Sequence, residues 1–478
     1  MLYNKESLIE ALGEELIYID KNYNFNIDNV IFDNREVTKN SLFIARKGEN
    51  TDGHNFIKAT LENNNSVVIL AEYIPDNIEQ NSRIILVKNT IKAFEKLAIF
   101  SRARLKGNII GITGSVGKTS TKDAFYHCFS DLGKSFCNQQ SFNSYNGILT
   151  TLSNTPKDTK YCICEMGMNT YGEMDVIKNL IKPEIAVILN VKPAHLGNFK
   201  NEEEIAIEKS KIIDRNNTKV VILNLDNKWF EFLKKQAEDY GIKNIITFGV
   251  DKNADIVLKK HVIENNVAKV QYEVENKIYN CVLNNLDYNI AYNCMTILAT
   301  ALYLKIDINK ILESFSTIES TRGRNNIEYT DYEFNGKNIN LTLINGSYNA
   351  VTPETFITGL NLMDIIFKQG NNKRKVCVWG DMLECGEKAA EFHLSLKKYL
   401  IDNKIDLLVT VGENMELLNN SLKDENIRTL HFGDINDLIN NIKEILNDRD
   451  LVFIKSSKGM KTYKILNYLV KNKMKIFL

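Results

Sequence analysis

Proline is scarce in this chain, with 5 in 478 residues, while Asn and Lys are abundant. That imbalance reads as compositional drift and says little about function. Net charge is missing altogether: Lys+Arg and Asp+Glu each total 60. No global field therefore draws the chain to nucleic acid or to a membrane surface, and an anionic ligand has to be met by a local site. Long apolar runs are absent too, and none approaches the roughly 20 residues a membrane span needs. Met1 to Asp20 carries Lys5, Glu6, Glu10, Glu14 and Glu15 and lacks the basic-then-apolar pattern of a signal peptide. A cytoplasmic location without membrane insertion is the expectation. The 8 cysteines include no C-x-x-C pair. They read as buried free thiols in a reducing compartment, with Cys162 and Cys164 on a strand and Cys128 on a helix.

What is present is an ordinary globular composition, 44% hydrophobic and 25% charged. The length suits about three domains. No short repeat, low-complexity tract or long linker stands out, so boundaries come from changes of pattern. Residues 1–88 give short strands such as Asn29–Phe32, Val67–Ala71 and Arg83–Val87, followed by a charged amphipathic helix over Thr90–Leu105. Residues 89–320 alternate apolar runs with helical stretches, the runs being Asn108–Ile112, Tyr161–Cys164, Glu184–Leu189 and Lys219–Leu223. That alternation predicts a parallel sheet covered on both faces, with ligands collecting beyond the carboxyl ends of its strands. Residues 321–478 repeat the scheme on a smaller scale, with runs at Ile339–Ile344, Lys375–Trp379, Asp406–Val411 and Leu451–Ile454. The expected fold class is α/β in three domains: a small α/β N-terminal unit, a central P-loop parallel-sheet unit and a C-terminal Rossmann-like unit.

Gly111-Ile-Thr-Gly114-Ser-Val-Gly117-Lys118-Thr119-Ser-Thr leaves a strand and enters a helix read as Lys122–Phe129. Glycines let a backbone wrap a phosphate with its N–H groups, and a helix N-terminus adds positive potential. Lys118 is placed to reach β/γ-phosphates and the Thr119 hydroxyl to hold Mg²⁺. The usual Gly five residues before the Gly-Lys pair is missing, for Ile112 stands there. The loop is therefore a variant phosphate loop; a Gly-rich turn that merely opens a helix is the bland alternative. Glu165 ends the strand Tyr161–Cys164, where a carboxylate beside a phosphate loop suits an oxygen-loving metal such as Mg²⁺. His195 follows the next strand. Lys209 falls four residues after Ile205 and three before Ile212, on the apolar stripe of a helix, with Lys211 to one side. Desolvation lowers a lysine pKa and gives a nucleophilic amine that can take up CO₂ as a carbamate. Taken alone, Lys209 reads first as a snorkelling surface residue. His127, His261, His393 and His431 read as structural.

The form Gly-x-Thr-Gly-x-x-Gly-Lys-Thr resembles the Mur ligase family, whose members activate a carboxylate with ATP. The resemblance runs through all three units. It takes in Asp33-Asn34-Arg35, Ser41 to Gly48 and Asp52-Gly53-His54 in the first, and Phe142-Asn143, Pro193 to Phe199 and Asn289 to Asn293 in the second. In the third it takes in Gly323-Arg324, Ser347-Tyr348-Asn349-Ala350, Gly380-Asp381-Met382-Leu383-Glu384 and Lys455 to Gly459. The Ser-Tyr-Asn-Ala and Gly-Asp-Met-Leu-Glu pieces resemble the members that add D-alanyl-D-alanine, and no Asp-Asn-Pro-Arg segment of the diaminopimelate-adding kind is found.

The resemblance implies ATP-dependent joining of D-alanyl-D-alanine to the carboxylate of a UDP-muramoyl-tripeptide through an acyl phosphate, by a monomer that needs Mg²⁺. It implies ATP contacts from Gly114, Ser115, Gly117, Lys118, Thr119, Ser120, Asn289, Asn293 and Arg324. Metal ligation falls to Thr119, Glu165, His195 and a carbamylated Lys209, and catalysis to Lys118, His195 and Lys209. Substrate binding falls to Arg35, Gly48, Asp52 and His54 on the uridine side, with Asn143, Asn349 and Lys455. One departure stands out: Asn345-Gly346 replaces the family's Asp-Asp, and losing one hydrogen-bonded carboxylate costs about 1–3 kcal/mol of binding. Three other readings stay open here. They are a different carboxylate–amine ligase, such as an earlier Mur ligase or a folyl-polyglutamate type, a nucleotide-binding paralogue without turnover, and a mechanical P-loop NTPase.

Overall fold

The computed structural model describes residues 1–48, 51–79, 81–139, 141–264 and 267–470. Its largest sheet is parallel from Ser135–Cys137 through Tyr161–Glu165, Asn108–Thr113, Ile185–Ile188, Val220–Asn224 and Asn244–Gly249 to Ile256–Glu264. It then finishes as an antiparallel meander through Val267–Val274 and Lys277–Leu283. The parallel strands are apolar on successive residues because both faces are covered. Ile109, Cys162, Cys164, Ala186 and Val221 face the helices Thr90–Arg104, Tyr145–Ser153, Glu173–Ile181 and Phe230–Asp239. Ile110, Ile112, Ile163, Val187 and Ile222 face Lys118–Ser130, Tyr288–Tyr303 and Ile308–Phe315. Cys162 and Cys164 share one face as i and i+2 neighbours, and their sulfurs lie 3.7 Å apart as buried free thiols.

The meander did not stand out in the sequence, although Val267–Val274 alternates buried and open positions as a strand with one wet face should. Glu275 and Asn276 turn the chain there at φ 49° and 62°, the two-residue hairpin geometry whose twist matches its strands. The helix after the phosphate loop begins at Lys118, a turn earlier than the apolar pattern indicates.

A second sheet, near the N-terminus, runs in the order Leu16–Tyr18, Ile84–Val87, Val68–Ala71, Ser41–Ile44, Asn29–Ile31. Its inner face (Leu42, Ile44, Val68, Leu70, Ile85) joins the same buried cluster as the helix Thr90–Arg104. Two polar joints, one buried and one half-buried, fix this contact. The Tyr3 hydroxyl lies 2.6 Å from Ser101 Oγ, 3.0 Å from the Ser153 carbonyl and 3.2 Å from that of Leu97. Asn154 exchanges a pair of bonds with the backbone of Val30, 2.8 and 2.7 Å.

The third large sheet runs Asn326–Phe334, Lys337–Gly346, Asp450–Lys455, Arg374–Gly380, Leu407–Val411, Arg428–Phe432, parallel but for its first pair. Trp379 and Phe453 pack on one of its faces and Val378 and Ile454 on the other. No helix among the described residues is long and apolar enough to cross a membrane.

Removing the Tyr3 hydroxyl leaves buried partners unsatisfied. Tyr3→Phe is therefore expected to cost about 1–3 kcal/mol, read as a lower urea midpoint; an unchanged midpoint contradicts the joint's importance.

Candidate functional site

Strand Asn108–Thr113 ends in Gly114–Gly117, and the helix Lys118–Ser130 begins at once. Gly117 sits at φ 87°, and a Cβ there would lie 2.6 Å from Asn293 Nδ2. Both the left-handed turn and the close approach of the adjacent helix call for glycine. The loop is tied to the end of the neighbouring strand. Ser115 N donates to the Asn190 carbonyl (3.1 Å), and Asn190 trades side-chain bonds with the Val116 backbone (3.1 Å each). The Ser115 hydroxyl donates to the Lys192 carbonyl and accepts from its N–H, both 2.9 Å. The Ser115 side chain thus serves the loop's shape. Lys118 Nζ folds back on the loop, donating to the carbonyls of Gly114 (2.7 Å) and Ser115 (3.2 Å).

Glu165 stands on the neighbouring strand, 1% exposed. Asn138, fully buried, grips its backbone on both sides: Glu165 N donates to Asn138 Oδ1 (2.6 Å) and Asn138 Nδ2 to the Glu165 carbonyl (3.0 Å). Asn143 Nδ2 donates to Glu165 Oε1 at 2.6 Å, so Asn143, expected on substrate, is engaged in aiming this carboxylate. Glu165 Oε2 is buried and, among the described residues, has no hydrogen-bond partner. A carboxylate oxygen left so is costly unless a cation or donor meets it. Thr119 Oγ1 lies nearby in the same cavity and accepts from Arg324 Nη2 at 2.8 Å. Thr119 and Glu165 therefore present a hydroxyl and a carboxylate oxygen, the hard donor set Mg²⁺ takes when phosphates and water complete its shell. Among the described residues no group of three or more His, Cys, Asp or Glu is gathered to hold a metal by itself.

His195 turns at φ 58°, and its Nδ1 lies 2.5 Å from Glu384 Oε2 of the third sheet's Gly380–Glu384 loop. That loop is braced from within. Asp381 accepts from Met415 N (2.8 Å), and His393 Nε2 accepts from Met382 N (2.9 Å). Lys209 is 2% exposed on the helix Glu202–Ser210. Its neighbour Glu208 turns the other way, accepting from Gly172 N (2.9 Å) and Met174 N (2.8 Å) and pairing with Lys211 at 2.8 Å. Lys211 is thus an ion-pair residue, as its place beside the stripe suggests.

Burial dominates the electrostatics, and neighbouring cations add to it. Burial pushes Lys118 down to about 8, with Glu165 opposing and Arg324 adding to the fall. Burial pushes Lys455 down to about 7, with Arg324 adding and Asp287 opposing. Burial, then the charge of Lys118, holds Lys209 well below the usual lysine range, against Glu208. His195 is lowered first by burial, with Glu384 opposing and Lys118 and Lys209 adding.

Two cavities meet here. One of about 150 Å³ takes in Lys118, Thr119, Asn143, Glu165, His195, Arg324 and Asn349. The other, about 340 Å³, takes in Gly117, Ser120, Asn289, Asn293, Arg324, Asn349 and Lys455. Tyr292, inside the Asn289 to Asn293 segment, lines the larger one, as do Asp226 and Asp287, to which no motif had drawn attention. Gly346 adjoins Lys455: a Cβ there would lie 2.7 Å from Lys455 Cδ and 2.9 Å from Asn325 Oδ1. The space of the absent side chain is taken up by the lysine stem. Arg35, Gly48, Asp52 and His54 line neither cavity. Arg35 is exposed and forks onto Asp33, and Gly48 N donates to the Thr51 carbonyl at 2.8 Å. His54 is 1% exposed, with Nδ1 on Asp52 (2.7 Å) and Nε2 accepting from Glu72 N (3.0 Å). Its ring stacks under the exposed Tyr73, centroids 4.1 Å apart. His54 therefore braces this loop, and Asp52 and Tyr73 form its outer surface.

The chain matches the family model for the Mur ligase middle domain over residues 112–301 and the model for the Mur ligase glutamate ligase domain over 336–458. It is 30% identical to the UDP-N-acetylmuramoyl-tripeptide--D-alanyl-D-alanine ligase of Rickettsia prowazekii over 472 residues, 98% of this chain and 100% of that one. The enzyme of the same name from Bacillus subtilis is 29% identical over 93% of this chain and 94% of its own. In fold it is similar to MurF from Acinetobacter baumannii, at TM-score 0.79 and 22% identity over 98% of this chain and 99% of that one. It is also similar to the MurF ligase of Thermotoga maritima solved in complex with ADP, at TM-score 0.74 and 24% identity over 92% and 96%.

Lowered lysines give the site a pH dependence of definite sign. Raising the pH through about 8 removes the Lys118 proton, so affinity for Mg·ATP by calorimetry is expected to weaken from about pH 7 to about pH 9. A constant affinity over that range contradicts the role given to the lowered lysine.

Proposed function

The chain belongs to the Mur ligase family, and from that premise we propose that it adds D-alanyl-D-alanine to UDP-N-acetylmuramoyl-tripeptide with ATP, in peptidoglycan precursor synthesis. The observation that carries the reading is the meeting of a phosphate loop and a buried carboxylate with one oxygen unpartnered among the described residues in one cavity at the ends of adjacent strands, with the buried Lys209 within electrostatic reach of Lys118 and His195. A carboxylate and a triphosphate repel, so their meeting requires a site rich in fixed positive charge.

In this reading the loop amides and Lys118 hold the triphosphate, and Asn289 and Asn293 line the adenine side of the larger cavity. Thr119 and Glu165 hold one Mg²⁺, with Asn143 keeping the Glu165 carboxylate aimed. His195, steadied by Glu384, and a carbamate on Lys209 hold a second. Bound there, Mg²⁺ supplies the charge neutralisation that lets two anions approach. Lys209 fits the modification because burial lowers its pKa and so favours the neutral amine that can add CO₂. The substrate carboxylate attacks the γ-phosphorus, the bond to the β-bridging oxygen breaks, and ADP leaves with an acyl phosphate formed. The free amine of the dipeptide then attacks the acyl carbon, phosphate departs, and the amide remains once the nitrogen sheds its proton. Arg324 and Lys455, from the third unit, meet the phosphates as the units close. Arg35, Gly48 and Asp52 face the uridine end, with His54 as the brace beneath.

The working units are residues 1–88, 89–320 and 321–478, acting as a monomer in the cytoplasm, where the soluble precursors are. Phosphate release with all three substrates, and its loss on omitting any one, is the expected result. Nucleotide binding without release would point to a non-catalytic paralogue and overturn the ligase reading. Lys209→Ala is expected to lose most activity and regain part of it with added short carboxylic acids; undiminished activity removes the carbamate from the scheme.

A further inference from the structure

A third cavity, of about 270 Å³, also borders Arg324. It shares Thr119, Ser141, Arg324 and Tyr348 with the smaller central cavity, so one end reaches the place where Glu165 and Thr119 stand. Away from that end its walls are largely apolar, from Tyr348, Tyr463 and Leu466. Its polar lining is lopsided. Arg322, Arg324 and Lys458 face a single carboxylate, Asp123, whose oxygens already meet Lys122 at 2.8 Å and the Thr321 hydroxyl at 2.7 Å. Lys458 is exposed, and its Nζ sits over the Tyr348 ring at 4.8 Å and 3.3 Å from the Tyr348 hydroxyl. Arg324 lies against the same ring, 5.6 Å from its centroid. Tyr348 thus separates an inner cation beside the reacting groups from an outer one at the mouth.

We propose that this cavity seats the incoming dipeptide, with its amine end toward Thr119 and Ser141 and its terminal carboxylate on Lys458, assisted by Arg322. The proposal rests on the ligase reading and deepens it. Short methyl side chains suit apolar walls of this size, and a surplus of cations at the mouth suits a ligand that ends in a carboxylate. A charge-assisted bond to a carboxylate is among the stronger polar contacts a site can make. Because Lys458 lines this cavity and neither of the other two, it is expected to act on one substrate and leave the other two alone.

The test compares KM values for each substrate by phosphate release, using the full-length enzyme, Lys458→Met and Lys458→Arg, with D-alanyl-D-alanine and its C-terminal amide. Lys458→Met is expected to raise the KM for the dipeptide on the order of tenfold or more, with those for ATP and the UDP-tripeptide within about twofold. The unaltered enzyme is expected to use the amide poorly by a similar factor, Lys458→Met to treat acid and amide alike, and Lys458→Arg to restore the preference. An unchanged dipeptide KM, or a rise shared by all three substrates, overturns the assignment while the ligase reading stands. No dipeptide-dependent release from the unaltered enzyme overturns the ligase reading and this one with it.

Discussion

Cations that repel one another are packed where the central and third sheets meet, and much of the rest of the structure serves to keep them there. Lys118, Lys209, Lys455 and Arg324 crowd into a region whose nearby carboxylates are Glu165, Asp287 and Glu208. Lysines held below their ordinary values cost stability at neutral pH, because the unfolded chain binds protons more readily; that cost is relieved as pH rises from the folded value toward the ordinary one. The fold bears the cost through large apolar cores on both faces of each major sheet. Strained or repulsive sites held by a stable scaffold are common where function demands them.

Arg324 is the hinge of this arrangement. It lines all three cavities, donates to Thr119 and lies against Tyr348. A single guanidinium thus borders the proposed places of nucleotide, metal and dipeptide. His195 and Glu384 form a second bridge between the same two units. The first unit is joined differently, through continuous apolar packing and the Tyr3 and Asn154 joints. A firmly seated first unit and polar contacts to the third suit a ligase that holds one substrate still while the third unit completes the site.

Local chemistry was legible in the sequence, and long-range chemistry was not. Gly114 to Thr119 announce a phosphate loop because turn, helix start and lysine lie within a few residues. Lys209 was placed on an apolar stripe by local periodicity, and the structure buries it as that stripe requires, but it was the family resemblance that set it apart from a surface lysine. By contrast, Arg324 and Thr119 are separated by 205 residues, and Glu384 and His195 by 189, and no pattern along the chain announces such meetings. Asn143 and His54 show the reverse limit: the motif marks the residue, but whether the side chain faces ligand or braces a neighbour depends on packing. The hairpin Asn326–Gly346 was within reach, since Asn335-Gly336 at positive φ is the strongest short hairpin signal.

The central claim is that the crowded cations are built for a bound polyanion and weaken the protein without one. Melting temperature measured with and without Mg·ATP, for the natural chain and for Lys118→Met, tests it most directly. Lys118→Met is expected to melt no lower than the natural chain without nucleotide, and to lose the rise nucleotide gives the natural chain. A variant that melts lower without nucleotide yet keeps the full rise would contradict it.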